Sequence, residues 1–291
     1  MSEATGESAS TIHRLLEIGK IEEGNLVNID LQIPPIDADV IIIDEMSMVD
    51  IFIMNYILKG IYLGTKLILI GDSNQLPSVG PGNVLKDIIE SEKISMIELD
   101  EIFRQAAKSK IITNSHRVNK GETFTNDKEI EDKLQDFFYI SETSQDKMLD
   151  TIISLCTGRL KNYGDYEFFN NIQVLSPTKK GMLGTRELNK SLQEALNLNT
   201  DIERTHGDRV FRIGDRVMQI KNNYDIFWDK DTGETGTGIF NGELGIVSEI
   251  DDVSKGIKIL FDDEKNVWYE FSELDQIEHS YSVTIHKSQR K

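Results

Sequence analysis

Val40-Ile41-Ile42-Ile43-Asp44-Glu45 and, further on, Lys66-Leu67-Ile68-Leu69-Ile70-Gly71-Asp72-Ser73-Asn74-Gln75-Leu76-Pro77 decide how this chain reads. Each is a short apolar run that stops abruptly at polar residues. Runs of Val, Ile and Leu of this length predict strands buried on both faces, as in a parallel sheet covered by helices. In such sheets ligands sit beyond the carboxyl ends of the strands, where Asp44, Glu45 and Gln75 fall. An acidic pair there is the arrangement that holds magnesium and activates water against a nucleotide phosphate. A glutamine at the neighbouring strand end can hydrogen-bond a terminal phosphate. Singly, each has an ordinary reading: acids at a helix N-terminus, or a turn. Their occurrence on consecutive strands favours the functional one.

Working outward, residues 50–60 predict a helix with Ile51, Met54, Ile57 and Leu58 as its buried stripe. Pro77, Gly80, Pro81 and Gly82 hold an extended loop. A helix over 84–90 and a strand over 95–99 follow, giving β-α-β-α-β order and hence an α/β layer. Upstream, Ser10 caps a short helix that presents Ile12, Leu15 and Leu16 on one face. Downstream, helices over 108–119, 144–160 and 185–197 and a strand over 171–175 read as a second α/β domain. From about residue 205 the pattern changes to short β-type runs at 208–220, 244–250, 255–261 and 267–271. Asn241-Gly242 and Lys255-Gly256 mark turns between them, which suggests a small barrel. Residues 280–285 return to a buried-strand pattern, so the barrel reads as an insert.

The chain has 291 residues, 38% of them hydrophobic and 28% charged, which suits a globular protein of one to three domains. No apolar run is long enough to span a bilayer, and the N-terminus lacks the features of a signal peptide. No membrane role is expected. The lone Cys156 reads as a core residue in a cytoplasmic setting. A net charge of −18 argues against a simple nucleic-acid binder. A local basic groove can nevertheless coexist with an acidic body.

Two further clusters carry chemistry. Arg104, in Phe103-Arg104-Gln105, lies at a domain junction, where a guanidinium can reach a phosphate held by the other domain. An isolated arginine is otherwise a surface residue. Near the end, Thr284, His286, Lys287, Ser288 and Gln289 gather donors at a strand terminus, a cluster able to contact a nucleic-acid backbone. His286 alone would read as structural.

Together these segments resemble the RecD/TraA family of superfamily 1 DNA helicases, the group that moves 5′ to 3′ and includes the exodeoxyribonuclease V alpha subunits. The resemblance rests on Ile43-Asp44-Glu45-Met46-Ser47-Met48, on the long run from Gly71 through Pro77-Ser78-Val79-Gly80-Pro81-Gly82-Asn83 to Leu85, and on Phe103-Arg104-Gln105. It continues through Ser176-Pro177-Thr178-Lys179-Lys180-Gly181, Leu188-Asn189, Gly214-Asp215-Arg216-Val217 and Thr284-Ile285-His286-Lys287-Ser288-Gln289. It implies an α/β chain: two RecA-like parallel-sheet domains, the first incomplete, with a small SH3-like β-barrel inserted in the second. The domains would be 1–100 for the partial first motor domain, 101–204 with 276–291 for the second, and 205–275 for the barrel.

The resemblance also implies roles. Asp44 would bind magnesium, Glu45 activate water, Gln75 sense the γ-phosphate of ATP, and Arg104 act as an arginine finger. Pro77, Ser78, Val79 and Asn83 would line the path of single-stranded DNA, with Thr284, His286, Lys287 and Ser288 facing the strand or coupling it to the nucleotide. ATP and Mg2+ would be the cofactors, and subunits of a nuclease–helicase complex possible partners. The family's Gly-Lys-Thr or Gly-Lys-Ser phosphate loop does not occur in the 291 residues, and Arg290 stands where the family has glycine. The expectation is therefore a piece of a longer recombination and repair motor, inactive alone and able to self-associate through its truncated face. The alternatives are a non-catalytic module that binds single strands or protein, and the helicase part of a conjugative relaxase.

Overall fold

The structure is a computed structural model that describes residues 6, 9–18, 33–99, 109–125 and 136–289. They cluster into two compact units, 1–139 and 140–291.

In the first unit, α1 (Ile12–Leu15) is capped by Thr11, whose hydroxyl accepts from the Arg14 amide. Then come β1 (Val40–Ile43), α2 (Ile51–Gly60), β2 (Lys66–Leu69), α3 (Val84–Ser91) and α4 (Lys110–Asn119). β1 and β2 pair in parallel, from Val40 opposite Lys66 to Ile43 opposite Leu69. Asp50 starts α2 by accepting the Ile53 amide at 2.8 Å. Ile41, Ile43, Met46, Ile53, Met54, Tyr56, Ile57, Val84 and Leu85 form the core.

Several details differ from the sequence expectation, beginning with the cap of α1, which is Thr11 and not Ser10. β1 is covered on one face only: Ile41 and Ile43 are buried, whereas Val40 and Ile42 are 47% and 49% exposed. The buried stripe of α2 runs through Ile53, Met54, Tyr56 and Ile57, while Ile51 and Leu58 face out. Residues 95–99 form no strand, because no ladder among the described residues takes them up, and Ile97 and Leu99 are exposed. α4 clusters with the first unit. Its anchors are local: Asn114 exchanges bonds with the Thr125 backbone, and the Lys110 amide donates to Asp136 at 2.9 Å.

The second unit opens with α5 (Gln145–Ser154), which runs through a π turn, Leu155–Arg159, into α6 (Leu160–Gly164). Next are α7 (Phe168–Asn171), β3 (Val174–Ser176) and α8 (Thr185–Leu196). Strands β4 (Glu203–His206) and β5 (Arg209–Arg212) form a hairpin. The rest are β6 (Arg216–Gln219), β7 (Asn223–Asp229), β8 (Thr235–Ile239), β9 (Leu244–Asp251), β10 (Gly256–Phe261), β11 (Asn266–Glu270) and β12 (Ile277–His279). They build an antiparallel seven-stranded sheet in the order β12-β6-β9-β10-β11-β7-β8. It curls around Phe211, Val217, Ile239, Val247, Ile257, Ile259, Phe261, Val267 and Tyr269. β7 and β8 lie outside the β-type runs expected from the sequence; Thr235-Gly236-Thr237-Gly238 of β8 lacks large apolar residues. After the sheet, β13 (Ser282–Thr284) pairs in parallel with β3 and leads into α9 (Ile285–Ser288). All strands of the curled sheet thus lie, in sequence, between two parallel neighbours. Cys156 is buried beside Leu188 and Leu192, and burial pushes its thiol up to about 11.

Asp215 ties this unit together. Its fully buried carboxylate takes five bonds, from the Gln193 and Asn197 side chains, the Arg212 amide, Tyr281 Oη and His279 Nε2, at 2.6 to 3.1 Å. Asn189 and Gln193 lie on one face of α8, and Asn197 caps its C-terminal end. Asn189 reaches the His279 and Ser282 carbonyls and accepts the Ser282 amide at 2.7 Å. One helical face is therefore bonded to the β5–β6 turn and to both sides of the β12–β13 link.

Burial alone would raise the Asp215 pKa, but the bond and charge of His279 and the amide donors outweigh it, leaving it below the ordinary 3.8. The depressed value means that the stability Asp215 contributes is complete above pH 3.8 and is lost as pH falls through the folded pKa. Asp215→Asn should cost about 3 kcal/mol at neutral pH, since an amide would aim a donor at donors. Urea melts at falling pH test this. The gap between variant and parent should hold down to pH 3.8 and close below it; a gap that is absent at neutral pH contradicts the assignment.

Candidate functional site

The ends of β1 and β2 are stitched by backbone. The Ile70 amide donates to Ile43 O at 2.8 Å, and the Met46 amide donates to Ile70 O at 2.9 Å. Asp44 and Glu45, between those anchors, bow out of the ladder and are exposed. Glu45 adopts φ 55°, ψ 43°, the left-handed region, at the start of the 3-10 turn Met46–Met48. That conformation costs a residue with a side chain about 1 kcal/mol, and the chain also adopts it at Glu92, Asp165, Lys255 and Glu264. Asp44 Oδ1 accepts the Glu45 amide at 3.0 Å. Beneath them the Ser47 hydroxyl is buried with no hydrogen-bond partner among the described residues.

The β2 end is as closely packed. A Cβ on Gly71 would lie 2.9 Å from Leu85 Cδ2 and 3.0 Å from the Met46 amide nitrogen, so only glycine admits this approach. Asp72 then forms a turn, accepting the Asn74 amide at 2.8 Å on its side chain and the Gln75 amide at 3.2 Å on its carbonyl. This sets exposed Gln75 on the loop that leaves the strand next to Asp44 and Glu45. Two oxygen-bearing acids and an amide thus occupy the ends of adjacent parallel strands.

The following loop is docked on the N-terminus of α2. The Ile51 amide donates to Pro81 O at 3.0 Å, and a Cβ on Gly80 would overlap the Asp50 carboxylate. Ser78 Oγ donates to the Gly80 and Gly82 carbonyls, both at 3.1 Å, so it braces its own loop. Pro77 and Val79 are exposed, and Asn83 precedes α3 without capping it through its side chain. Arg104 lies outside the described residues.

The second group of candidates belongs to the second unit. Thr284 Oγ1 caps α9 by accepting the Lys287 amide at 3.3 Å, and Ser288 Oγ donates to Ile285 O at 2.7 Å. Lys287 Nζ is bonded to Glu278 at 2.8 Å, and His286 is exposed. Burial opposes ionisation of Glu278, but Lys287 and the charges of Arg209 and Lys179 outweigh it, so its pKa lies below the ordinary 4.5. A small cleft beside them is lined by Lys179, Thr185, Asn189, Glu278, Thr284 and Lys287. Lys287 and Ser288 therefore already donate to internal partners, and Thr284 accepts from one, which the spacing of the sequence could not reveal.

Sequence reasoning missed the polar scaffold behind this cluster: Gln193, Asn197, His279 and Tyr281. Gly214-Asp215-Arg216-Val217 is the one sequence signal of it. As to a magnesium ion, Asp44 offers an exposed hard oxygen ligand, as that ion requires alongside phosphate and water. Among the described residues no group of three or more acidic, His or Cys side chains forms a complete metal cage. No helix of the described residues is long and apolar enough to cross a membrane.

Comparisons with known proteins agree with this architecture. Residues 1–137 match a family model described as an AAA domain. Residues 188–261 match one described as the ATP-dependent RecD-like DNA helicase SH3 domain. The ATP-dependent RecD2 DNA helicase of Deinococcus radiodurans is 31% identical over 292 residues, covering 99% of this chain and 35% of that protein. The RecBCD enzyme subunit RecD of Buchnera aphidicola is 28% identical over 333 residues, 97% of this chain and 52% of the relative. The chain thus spans about a third to a half of the length of these relatives. The crystal structure of a Bacteroides Pif1 helicase in complex with ADP-AlF3 and single-stranded DNA shares the fold, with TM-score 0.50 at 17% identity over 96% of this chain and 70% of that one. With RecD2 and RecD relatives aligned over nearly its whole length and a match to the RecD-like helicase SH3 domain inside its second unit, the chain is a homologue of the RecD-like DNA helicases.

Proposed function

We propose that this chain is motor machinery of an ATP-dependent DNA helicase that moves 5′ to 3′ along a single strand in recombination and repair. The observation that carries this reading is the stitched pair of strand ends, where Ile43, Met46 and Ile70 hold Asp44, the left-handed Glu45 and the Gln75 turn at one edge. Asp44 would hold the magnesium that neutralises phosphate charge, Glu45 orient and deprotonate water, and Gln75 bond the terminal phosphate. Arg104 would supply transition-state charge. Pro77, Val79 and Asn83, with Thr284, His286, Lys287 and Ser288, would meet the strand. One motor domain would be 1–100, the other 101–204 with 276–291, and the barrel 205–275. A cytoplasmic setting and membership of a nuclease–helicase assembly fit that role, the latter because several relatives are named as RecBCD subunits.

A second reading, a binding module without turnover, is favoured by one observation: no Gly-Lys-Thr or Gly-Lys-Ser occurs in the 291 residues. Such a loop supplies the backbone amides and lysine that cradle the phosphates. The chain by itself should therefore hydrolyse ATP at background, with or without single-stranded DNA. Turnover near about 10 s⁻¹, ordinary for an enzyme, would refute this.

DNA contact is tested separately, by titrating a labelled oligodeoxythymidylate at rising salt. The chain should bind, and Lys287→Ala should flatten the slope of log K against log salt by about 0.7, one phosphate contact on a single strand. No binding, or an unchanged slope, removes Lys287 from the DNA path. The exposed Val40 and Ile42 also support self-association through that sheet face. Sedimentation should then show concentration-dependent mass that Ile42→Lys abolishes; a monomer at all concentrations ends that part of the reading.

A further inference from the structure

We propose that the β7–β8 corner of the curled sheet is a docking edge for an extended, cationic segment of a partner protein. β8 is the last strand of the sheet, and no described strand pairs with its other side. Its sequence, Thr235-Gly236-Thr237-Gly238-Ile239, contains neither lysine nor proline, the residues that usually block strand addition. Phe227, opposite Thr237 on β7, is 58% exposed. An open backbone edge therefore lies beside an uncovered aromatic ring. In strand addition the edge provides main-chain bonds and the flanking side chains select alternate residues of the incoming segment.

Charge identifies the occupant. Residues 222–275 carry 14 acidic side chains against 4 basic ones, a net −10 out of −18 for the whole chain. Asp229, two positions past Phe227 and on its face of β7, is exposed, and so is Asp225 in the irregular stretch between Asn223 and Phe227. Such a surface repels a phosphate backbone. It attracts lysine and arginine, and Phe227 gives an apolar anchor between the carboxylates. The segment that fits is extended, with cationic and apolar side chains alternating. This inference does not depend on the motor reading.

The test is a titration of the chain with a synthetic peptide alternating Lys and Val, followed by the fluorescence of its two tryptophans, Trp228 and Trp268. Binding should saturate at one peptide per chain. Phe227→Ser and the pair Asp225→Lys with Asp229→Lys should each weaken it about tenfold or more, a loss readily resolved in such a titration. Both variants change exposed residues, so their melting curves should match the parent. Oligolysine of equal length should bind at least as much more weakly, and oligodeoxythymidylate should not displace the peptide. Absence of saturation, equal affinity for oligolysine, displacement by the oligonucleotide, or indifference to both variants would overturn the proposal. A dimer that Phe227→Ser abolishes would overturn it too, by assigning the edge to a second copy.

Discussion

The buried Asp215 carboxylate is the interaction on which the second unit depends. A desolvated charge is tolerable only when its lone pairs are filled, and here five donors from four parts of the chain converge on it. Those donors come from α8, the β5–β6 turn, β12 and Tyr281. The same network therefore holds the curled sheet against the helix and sets the β12–β13 link. Arg216, next in sequence, adds a second tie by donating to the Ile172 carbonyl at 2.9 Å. The candidate DNA cluster from Thr284 to Ser288 emerges directly from this clamped strand, so its geometry is inherited from a charge several residues away.

The first unit solves a different problem with backbone. Two main-chain hydrogen bonds, between Ile70 and Ile43 and between Met46 and Ile70, close the strand ends and leave Asp44 and Glu45 with no ladder to join. Glycine at 71 lets the two ends approach, and glycine at 80 lets the following loop lie on the Asp50 cap. Polar side chains are thus presented by a tightly packed base, the arrangement expected where positioning matters more than local stability. The unfavourable backbone at Glu45 and the unpaired hydroxyl of Ser47 both fall at this edge.

Charge divides the molecule's surface by task. The barrel portion carries most of the acidic excess, while the lysines at 179 and 287 lie by the cleft near β13. A strongly negative chain can therefore still offer a local cationic site. Net charge averages over both surfaces and so does not report either one.

Much of the fold was legible in the residues. The apolar runs at 40–43 and 66–69, the helices at 51–60, 84–91 and 185–196 and the change to β character after 205 follow from periodicity and turn residues, which act locally. So does the placement of Asp44, Glu45 and Gln75 at strand ends. What was not legible depends on partners distant in sequence: that one face of β1 stays uncovered, that 95–99 joins no ladder, and that the Gly-rich β8 is a strand because β7 lies beside it. The pairing of Lys287 with Glu278 and the convergence on Asp215 belong to the same class. The sequence by itself determined most of the helices, the two apolar strands of the first unit and the side chains that stand at their ends, since propensity and pattern are properties of neighbours along the chain. Only the tertiary structure decided which polar groups are spent on one another, because burial and hydrogen-bond partners are properties of neighbours in space.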